Sequence, residues 1–429
     1  MLRRTDLRGS GAIDPALLTR PAAAESDDDA LATVRDIIAD VRARGDAAVR
    51  ELTARYDGCT TGDLRVPPED RLRALHSLPA DLREALEFAR DQIAAYHGLQ
   101  DAPDVTMRRA GIEVHELVRP VDRAGLYAPG GRAPLASTVL MTAVPARIAG
   151  VPEVVLCVPP GLDGRVPDVM LAASALADVD QVYAVGGAQA IAAMAYGTAT
   201  IPRVDVIVGP GNRYVALAKR EVAGVVGIES TAGPSELVVL ADDAAPPDFV
   251  AVDLMAQAEH GPDGAAVLVT WSQDVADAVD AALARLLEAA PRRKEIDSTL
   301  ARGGRTILVD DARTAVEVAN AIAPEHLELM TAEPAKLLAD VRNAGAVFCG
   351  VWAPAVIGDY VAGANHVLPT ARTARYASAL RVDDFRKHIH VVDVDEPALR
   401  GVAARVTTLA DMEGLDAHAQ TIAIRTAAR

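Results

Sequence analysis

Cysteine is scarce: the 429 residues hold three, Cys59, Cys157 and Cys349, too far apart to form a CxxC pair. That excludes a disulfide framework and a thiolate zinc site, and it suits a reducing compartment. Long apolar runs are missing too. Hydrophobic residues make up 50% of the chain and the mean hydropathy is +0.15, yet no stretch approaches the roughly 18 consecutive apolar residues that read as a membrane span. Met1-Leu2-Arg3-Arg4-Thr5-Asp6 is charged at once and lacks an apolar core, which predicts no signal peptide and a cytoplasmic protein. Basic charge is in deficit: 43 Lys and Arg stand against 60 Asp and Glu, for a formal charge of -17. Nucleic acid and anionic membranes are thereby opposed as partners, and small molecules are the expected ligands. Finally there is no GxGxxG, no Walker lysine motif and no HExxH.

What is present reads as a chain of alternating elements. Residues 1–20 look like an arm. Leu31, Val34, Ile37, Ile38, Val41, Val49 and Leu52 follow helical spacing behind the acids Asp27 to Asp29, and residues 71–97 read as a second long helix. His76, His97 and His115 have no acid or ligand partner in a telling pattern, so they are assigned to surface or core. From Val154 onward, short β-branched runs at 154–158, 181–185 and 204–208 read as buried parallel strands with helices between. The pattern recurs at 266–270, 306–309, 326–330 and 346–349, with helices over 276–288, 312–321 and 334–343. The expected fold is therefore α/β, with two doubly wound, incomplete Rossmann-like domains and a small helical C-terminal tail domain. The boundaries fall at 1–20 for the arm, 21–125 with 236–375 for the larger domain, 126–235 for the smaller, and 376–429 for the tail. The tail has too little apolar surface to stand alone, so it packs on another domain or another subunit.

Chemistry concentrates first at Ile322-Ala323-Pro324-Glu325-His326-Leu327. Pro324 should end the preceding helix, leaving an acid and a base at a helix-to-strand junction. Imidazole exchanges protons near neutral pH and a neighbouring carboxylate can activate water, the two services that alcohol oxidation needs; capping of a core strand is the plainer alternative. Three glycine turns follow strands: Tyr127-Ala128-Pro129-Gly130-Gly131-Arg132, Gly186-Gly187-Ala188-Gln189 and Gly209-Pro210-Gly211-Asn212. They fit either a dinucleotide approached by backbone and helix N-termini or ordinary tight βα turns. Gln257 and His260, spaced i, i+3 at a helix end, with Asp359, His366, Glu413 and His418 further on, offer the histidine, carboxylate and amide oxygen that suit a first-row divalent ion, or could be cap polarity and a surface histidine.

In sequence order these pieces resemble the histidinol dehydrogenase family, essentially from end to end. The resemblance is carried by Pro129-Gly130-Gly131 through Ser137-Thr138-Val139-Leu140-Met141, by Ala232-Gly233-Pro234-Ser235-Glu236, and by Gln257-Ala258-Glu259-His260. Ala323-Pro324-Glu325-His326-Leu327-Glu328 continues it, with Gly358-Asp359-Tyr360, Asn365-His366-Val367-Leu368-Pro369-Thr370, Arg381-Val382-Asp383-Asp384-Phe385 and Glu413-Gly414-Leu415-Asp416-Ala417-His418. It implies a zinc-containing, NAD-dependent cytoplasmic homodimer with shared active sites, oxidising L-histidinol through L-histidinal to L-histidine in the last steps of histidine biosynthesis. It further implies Glu325 and His326 as catalytic residues and Gln257, His260, Asp359 and His418 as zinc ligands, the last from the partner's tail. Substrate contacts would come from Ser235, Gln257, His260, His326, Asp359, His366, Glu413 and His418, and NAD contacts from Tyr127, Gln189 and Asn212 in the smaller domain. Two positions depart from the family pattern: Glu229 stands where Asp is usual and Ala136 where Pro is usual. The competing readings are a relative acting on another amino alcohol or diol, a zinc hydrolase using Glu325 as base, and a non-catalytic nucleotide-binding protein.

Overall fold

A computed structural model describes residues 2–10, 27–100, 105–130, 133–230, 233, 235–261 and 263–427. Residues 11–20 of the arm, Gly131 and Arg132 of the first glycine turn, and Ala232 and Pro234 of the motif before Ser235 lie outside the described residues. The chain divides into two units, Met1–Gln100 with Asp122–Phe385, and Asp101–Val121 with Arg386–Arg429.

The first unit is built on two all-parallel sheets. One has six strands in the order Arg3–Asp6, Gly304–Leu308, Ala265–Thr270, Glu236–Ala241, His326–Met330, Ala346–Cys349. The other has five, in the order Gln181–Ala184, Glu153–Val158, Arg123–Tyr127, Val206–Val208, Gly227–Ile228. Both faces of the six-stranded sheet are covered, and the pleat sorts its residues between two cores. Leu237, Val239 and Ala241 enter the core shared with the helix Pro247–Ala258, whereas Val238 and Leu240 enter the one shared with the helix Ala312–Ile322.

Several elements differ from the sequence reading, each for a local reason. The arm opens as an edge strand: Leu2 is buried, and Arg4 is paired with Asp280 at 2.6 Å. Four residues are too few to show a period. The run at 71–97 is two helices, Pro68–Ser77 and Ala80–Gly98, because Leu78 before Pro79 is extended, with ψ 143°, as a residue preceding proline prefers. The helix expected over 334–343 stops at Leu338. Of the two central strands, Glu236–Ala241 is absent from the sequence reading and Arg123–Tyr127 is implied only by the turn that follows it. The first is an apolar run that periodicity cannot distinguish from buried helix, and the second carries Ala124 and Gly125, which have little strand preference.

The second unit is not purely helical. Arg386–Val394, Ile112–Pro120 and Thr106–Arg109 form a three-stranded antiparallel sheet, followed by the helices Glu396–Met412 and Asp416–Thr426. The segment near 105–120, assigned to the larger domain from sequence, thus pairs with the tail. Residues 376–385 stay with the first unit, where Phe385 is fully buried and Leu380 donates its N–H to the Val367 carbonyl.

One buried histidine ties the first unit together. His97 is fully buried; its Nδ1 lies 3.1 Å from Gln100 Oε1 and its Nε2 3.3 Å from Asn365 Nδ2. An amide oxygen only accepts and an amide nitrogen only donates, so the ring is neutral with its proton on Nδ1. Asn365 also donates to the Met141 carbonyl at 2.6 Å and accepts from Val367 N. Burial pushes the His97 pKa down, against the Gln100 hydrogen bond, and Arg381 adds to the depression. The unfolded chain therefore takes up this proton first, near the ordinary value of about 6.5, so the contribution is complete above that pH and declines as pH falls below it. His97→Gln should cost about 1–3 kcal/mol at pH 7.5. In urea titrations the gap from wild type should narrow by pH 5.5; a gap that widens on acidification would refute the neutral-ring assignment.

Candidate active site

The helix Ala312–Ile322 ends on Ala323, a non-glycine residue in the left-handed region at φ 52° and ψ 61°, a conformation held only where its surroundings enforce it. Pro324 follows, and the chain enters the strand His326–Met330. Two backbone bonds fix this entry, Gly345 N to Pro324 O and Ala346 N to Glu325 O, each 2.9 Å. Within the strand Leu327 and Leu329 face the core beneath the preceding helix. Alternation turns His326 and Glu328 to the opposite face, where they line a pocket with Asp253, Gln257, His260 and Asp359.

Glu325 and His326 are only 5% and 7% exposed. Glu325 Oε2 accepts from Glu236 N at 2.9 Å, and His326 Nδ1 lies 3.2 Å from the Glu236 carbonyl and 3.5 Å from Glu325 Oε2. Nδ1 therefore carries a proton in the neutral ring, which leaves Nε2 as the basic atom. Burial disfavours the imidazolium, but the charge and hydrogen bond of Glu325, with Asp359 and the Glu236 carbonyl behind them, outweigh it and hold His326 at about 9. Burial likewise opposes the Glu325 carboxylate, and His326 outweighs it, so Glu325 stays below its usual range.

Beside this pair lies an acid pair that sequence reasoning missed. Glu328 is fully buried, with Oε1 accepting from Ala355 N at 2.7 Å. Burial raises both Glu328 and Asp253, and the charge of Asp253 raises Glu328 further. The signal was available in the spacing: Glu328 is two residues from His326 on a strand, and Asp253 is one helical turn before Gln257.

Gln257 and His260 do not share a helix face, since the helix closes at Ala258; His260 reaches the pocket through a turn in which its N–H bonds the Gln257 carbonyl at 3.3 Å. Gln257 is 5% exposed and its Nε2 has no hydrogen-bond partner. Among the described residues no three His, Cys, Asp or Glu side chains gather as a metal cluster. Gln257, His260 and Asp359 nonetheless bring an amide oxygen, an imidazole and a carboxylate to one pocket, a donor set that suits a first-row divalent ion. His366 is close by, with Nδ1 3.0 Å from the Asp359 carbonyl and Nε2 3.2 Å from Thr138 Oγ1. Ser235, half-buried, precedes Glu236 and accepts from Ala265 N at 3.1 Å. Glu413 and His418 lie on the second unit, exposed, around the turn between its two helices.

The other expected site residues sit at the carboxyl ends of the five-stranded sheet. The chain builds outward from Arg123–Tyr127 on one side and returns to fill the other with Val206–Val208, so the order reverses there, where α/β sheets open a ligand crevice. Tyr127 ends the central strand, and its buried hydroxyl accepts from Gly187 N at 3.1 Å. Gln189 is 1% exposed with Nε2 lacking a hydrogen-bond partner, and Asn212 caps the helix Arg213–Val222 through Oδ1, 3.1 Å from Val215 N.

Fold and pocket together define an α/β enzyme with a buried acid–base pair, and with glycine turns at the strand-order reversal of its five-stranded sheet. The histidinol dehydrogenase family model matches residues 20–426. A histidinol dehydrogenase from Parasynechococcus marenigrum is 47% identical over 94% of this chain and 93% of its own length, and one from Geobacillus kaustophilus is 47% identical over 91% and 93%. The crystal structure of histidinol dehydrogenase from Elizabethkingia anophelis superposes with a TM-score of 0.93 at 32% identity, covering 99% of this chain and 98% of that one. The chain belongs to the histidinol dehydrogenase family, a family of oxidoreductases.

If Glu325 holds the proton on His326, removing its charge must release it. In chelated protein the His326 ring should titrate near 9, and in Glu325→Gln it should fall toward the ordinary imidazole value of about 6.5. Ring-proton NMR with His326→Gln for assignment measures this; an unchanged titration would remove the coupling.

Proposed function

We propose that this protein carries out the NAD-dependent four-electron oxidation of L-histidinol through L-histidinal to L-histidine. The observation that carries the reading is the buried Glu325–His326 pair, anchored on the backbone of one residue, Glu236, beside Gln257, His260 and Asp359. NAD, the hydride acceptor for both oxidations, would lie against Tyr127, Gln189 and Asn212. A zinc ion held by Gln257, His260 and Asp359, with His418 from a second copy, would grip the substrate's imidazole and amine and lower the pKa of His326. Ser235 and His366 would complete the grip on the substrate, and Glu413 of that copy would accept a hydrogen bond from its amino group.

His326 Nε2 takes the hydroxyl proton of the alcohol in the first oxidation. The aldehyde must then be hydrated before it can be oxidised again. Glu325 Oε2 is engaged by Glu236 N, so the water is activated through Oε1. His326, having lost its proton to solvent, is the base a second time. Both residues are held in place before the substrate arrives, which removes an ordering cost from each step.

The subunit arrangement is supported by the second unit's composition: Leu409, Met412 and Ile424 are 57%, 74% and 69% exposed, an apolar surface that a partner copy would cover. A cytoplasmic setting agrees with three free thiols and with the absence, among the described residues, of any helix long and apolar enough to cross a membrane.

Limiting L-histidinol should give two NADH per molecule, lost on chelation and recovered with zinc. One NADH would refute the four-electron course, and none from folded, zinc-loaded protein would refute the substrate. Glu325→Gln should slow oxidation of histidinal by about 10²–10⁴-fold, the range of a general base, and spare the first step by comparison, whereas His326→Ala should damage both. Equal loss of the two half-reactions in Glu325→Gln would withdraw its role. Mixing inactive His418→Ala with inactive Gln257→Ala subunits should restore part of the activity if sites are shared; no restoration in a verified mixed dimer would argue against sharing.

A further inference from the structure

Away from the acid–base pocket, one buried ion pair has no part in the chemistry above. Lys219 Nζ meets Glu229 Oε1 at 2.5 Å, with side chains 4% and 2% exposed. Both close on a single residue: Glu229 Oε1 accepts from Gly209 N at 2.7 Å, and Lys219 Nζ donates to the Gly209 carbonyl at 3.0 Å. Gly209 sits at φ 120°, and a Cβ there would overlap the Tyr127 carbonyl oxygen, so only glycine allows this approach. The next residues, Pro210 and Gly211, lead to Asn212, which caps the very helix that carries Lys219. The helix thus returns to grip the first residue of the loop that starts it.

A buried ion pair is a poor source of stability, since desolvation offsets most of the attraction. What it supplies is direction: the N–H and the carbonyl of Gly209 each have one charged partner, so the loop has one orientation. We propose that Lys219 and Glu229 are positioning residues for the dinucleotide, fixing Gly209 so that the Pro210–Gly211 backbone and the helix N-terminus at Asn212 are set before NAD arrives. This rests on the reading of Tyr127, Gln189 and Asn212 as the NAD site.

The test is NADH binding to full-length, zinc-loaded enzyme, followed by nucleotide fluorescence, alongside steady-state kinetics. Glu229→Gln should weaken NADH binding and raise the KM for NAD by about tenfold, the scale expected when a preorganised loop must be ordered on binding. The KM for histidinol should move much less. Because a lone buried charge could prevent folding, the double variant Lys219→Met/Glu229→Leu, which fills the same space with apolar atoms, should fold and show the same loss for NADH. Glu229→Asp, keeping the charge, should recover most of the affinity. If the folded double variant binds NADH as wild type does, the positioning role is wrong while the NAD site stands. If wild type binds no NADH at all, the NAD reading falls and this inference with it.

Discussion

The burial of one acid and one base at the start of a strand is the constraint on which the site depends. Removing two charges from water costs several kcal/mol each, and only close pairing with further hydrogen bonds offsets it. Here the further bonds come from the backbone of Glu236, whose N–H donates to Glu325 and whose carbonyl accepts from His326. That residue stands beside the pair because His326 pairs with Leu237 in the sheet. A slip of one residue would send His326 and Glu328 into the apolar core that now receives Leu327 and Leu329, so the register and the site are fixed together.

The two sheets of the first unit offer opposite ends to chemistry. The glycine turns follow the carboxyl ends of the five-stranded sheet, where the strand order reverses. The acid–base pair stands instead at the amino ends of the six-stranded sheet, His326 being the first residue of its strand and Glu236 of the neighbouring one. A direct hydrogen bond spans from one lobe toward the other: Thr138, in the helix Ala136–Ile148 after the first glycine turn, reaches His366, whose other ring nitrogen is held by the Asp359 carbonyl.

Much of this was legible in the sequence because parallel strands buried on both faces write themselves as apolar runs, as at Glu153–Val158 and Ala265–Thr270. The residues of the acid–base pair announced themselves by being charged where the flanking pattern is apolar. What escaped was whatever depends on contacts far apart in the chain. Arg123–Tyr127 is central only because its neighbours pair with it, and Thr106–Pro120 joins the tail only through its antiparallel match to Arg386–Val394. Asp253 stands one helical turn before Gln257 in the sequence, but only the sheet brings Glu328 to the same pocket. The fully buried His97 looked idle for the same reason: its partners, Gln100 and Asn365, include one 268 residues away.

The last helix bears on the assembly. Asp416–Thr426 has eleven residues and not one of them is buried. A helix of that length is marginal in water on its own propensity, and helices in proteins draw most of their stability from packing an apolar face. Its neighbour Glu396–Met412 buries only Ala398 and Ala410 and leaves Leu409 and Met412 exposed. Two adjoining helices with so little buried side-chain surface of their own present an apolar surface of the kind a partner covers. The turn between these helices is also where Glu413 and His418 stand. A partner covering the helices would bring that turn against its own surface, and if the partner is a second copy, one contact would serve both the stability of the tail and the completion of the pocket.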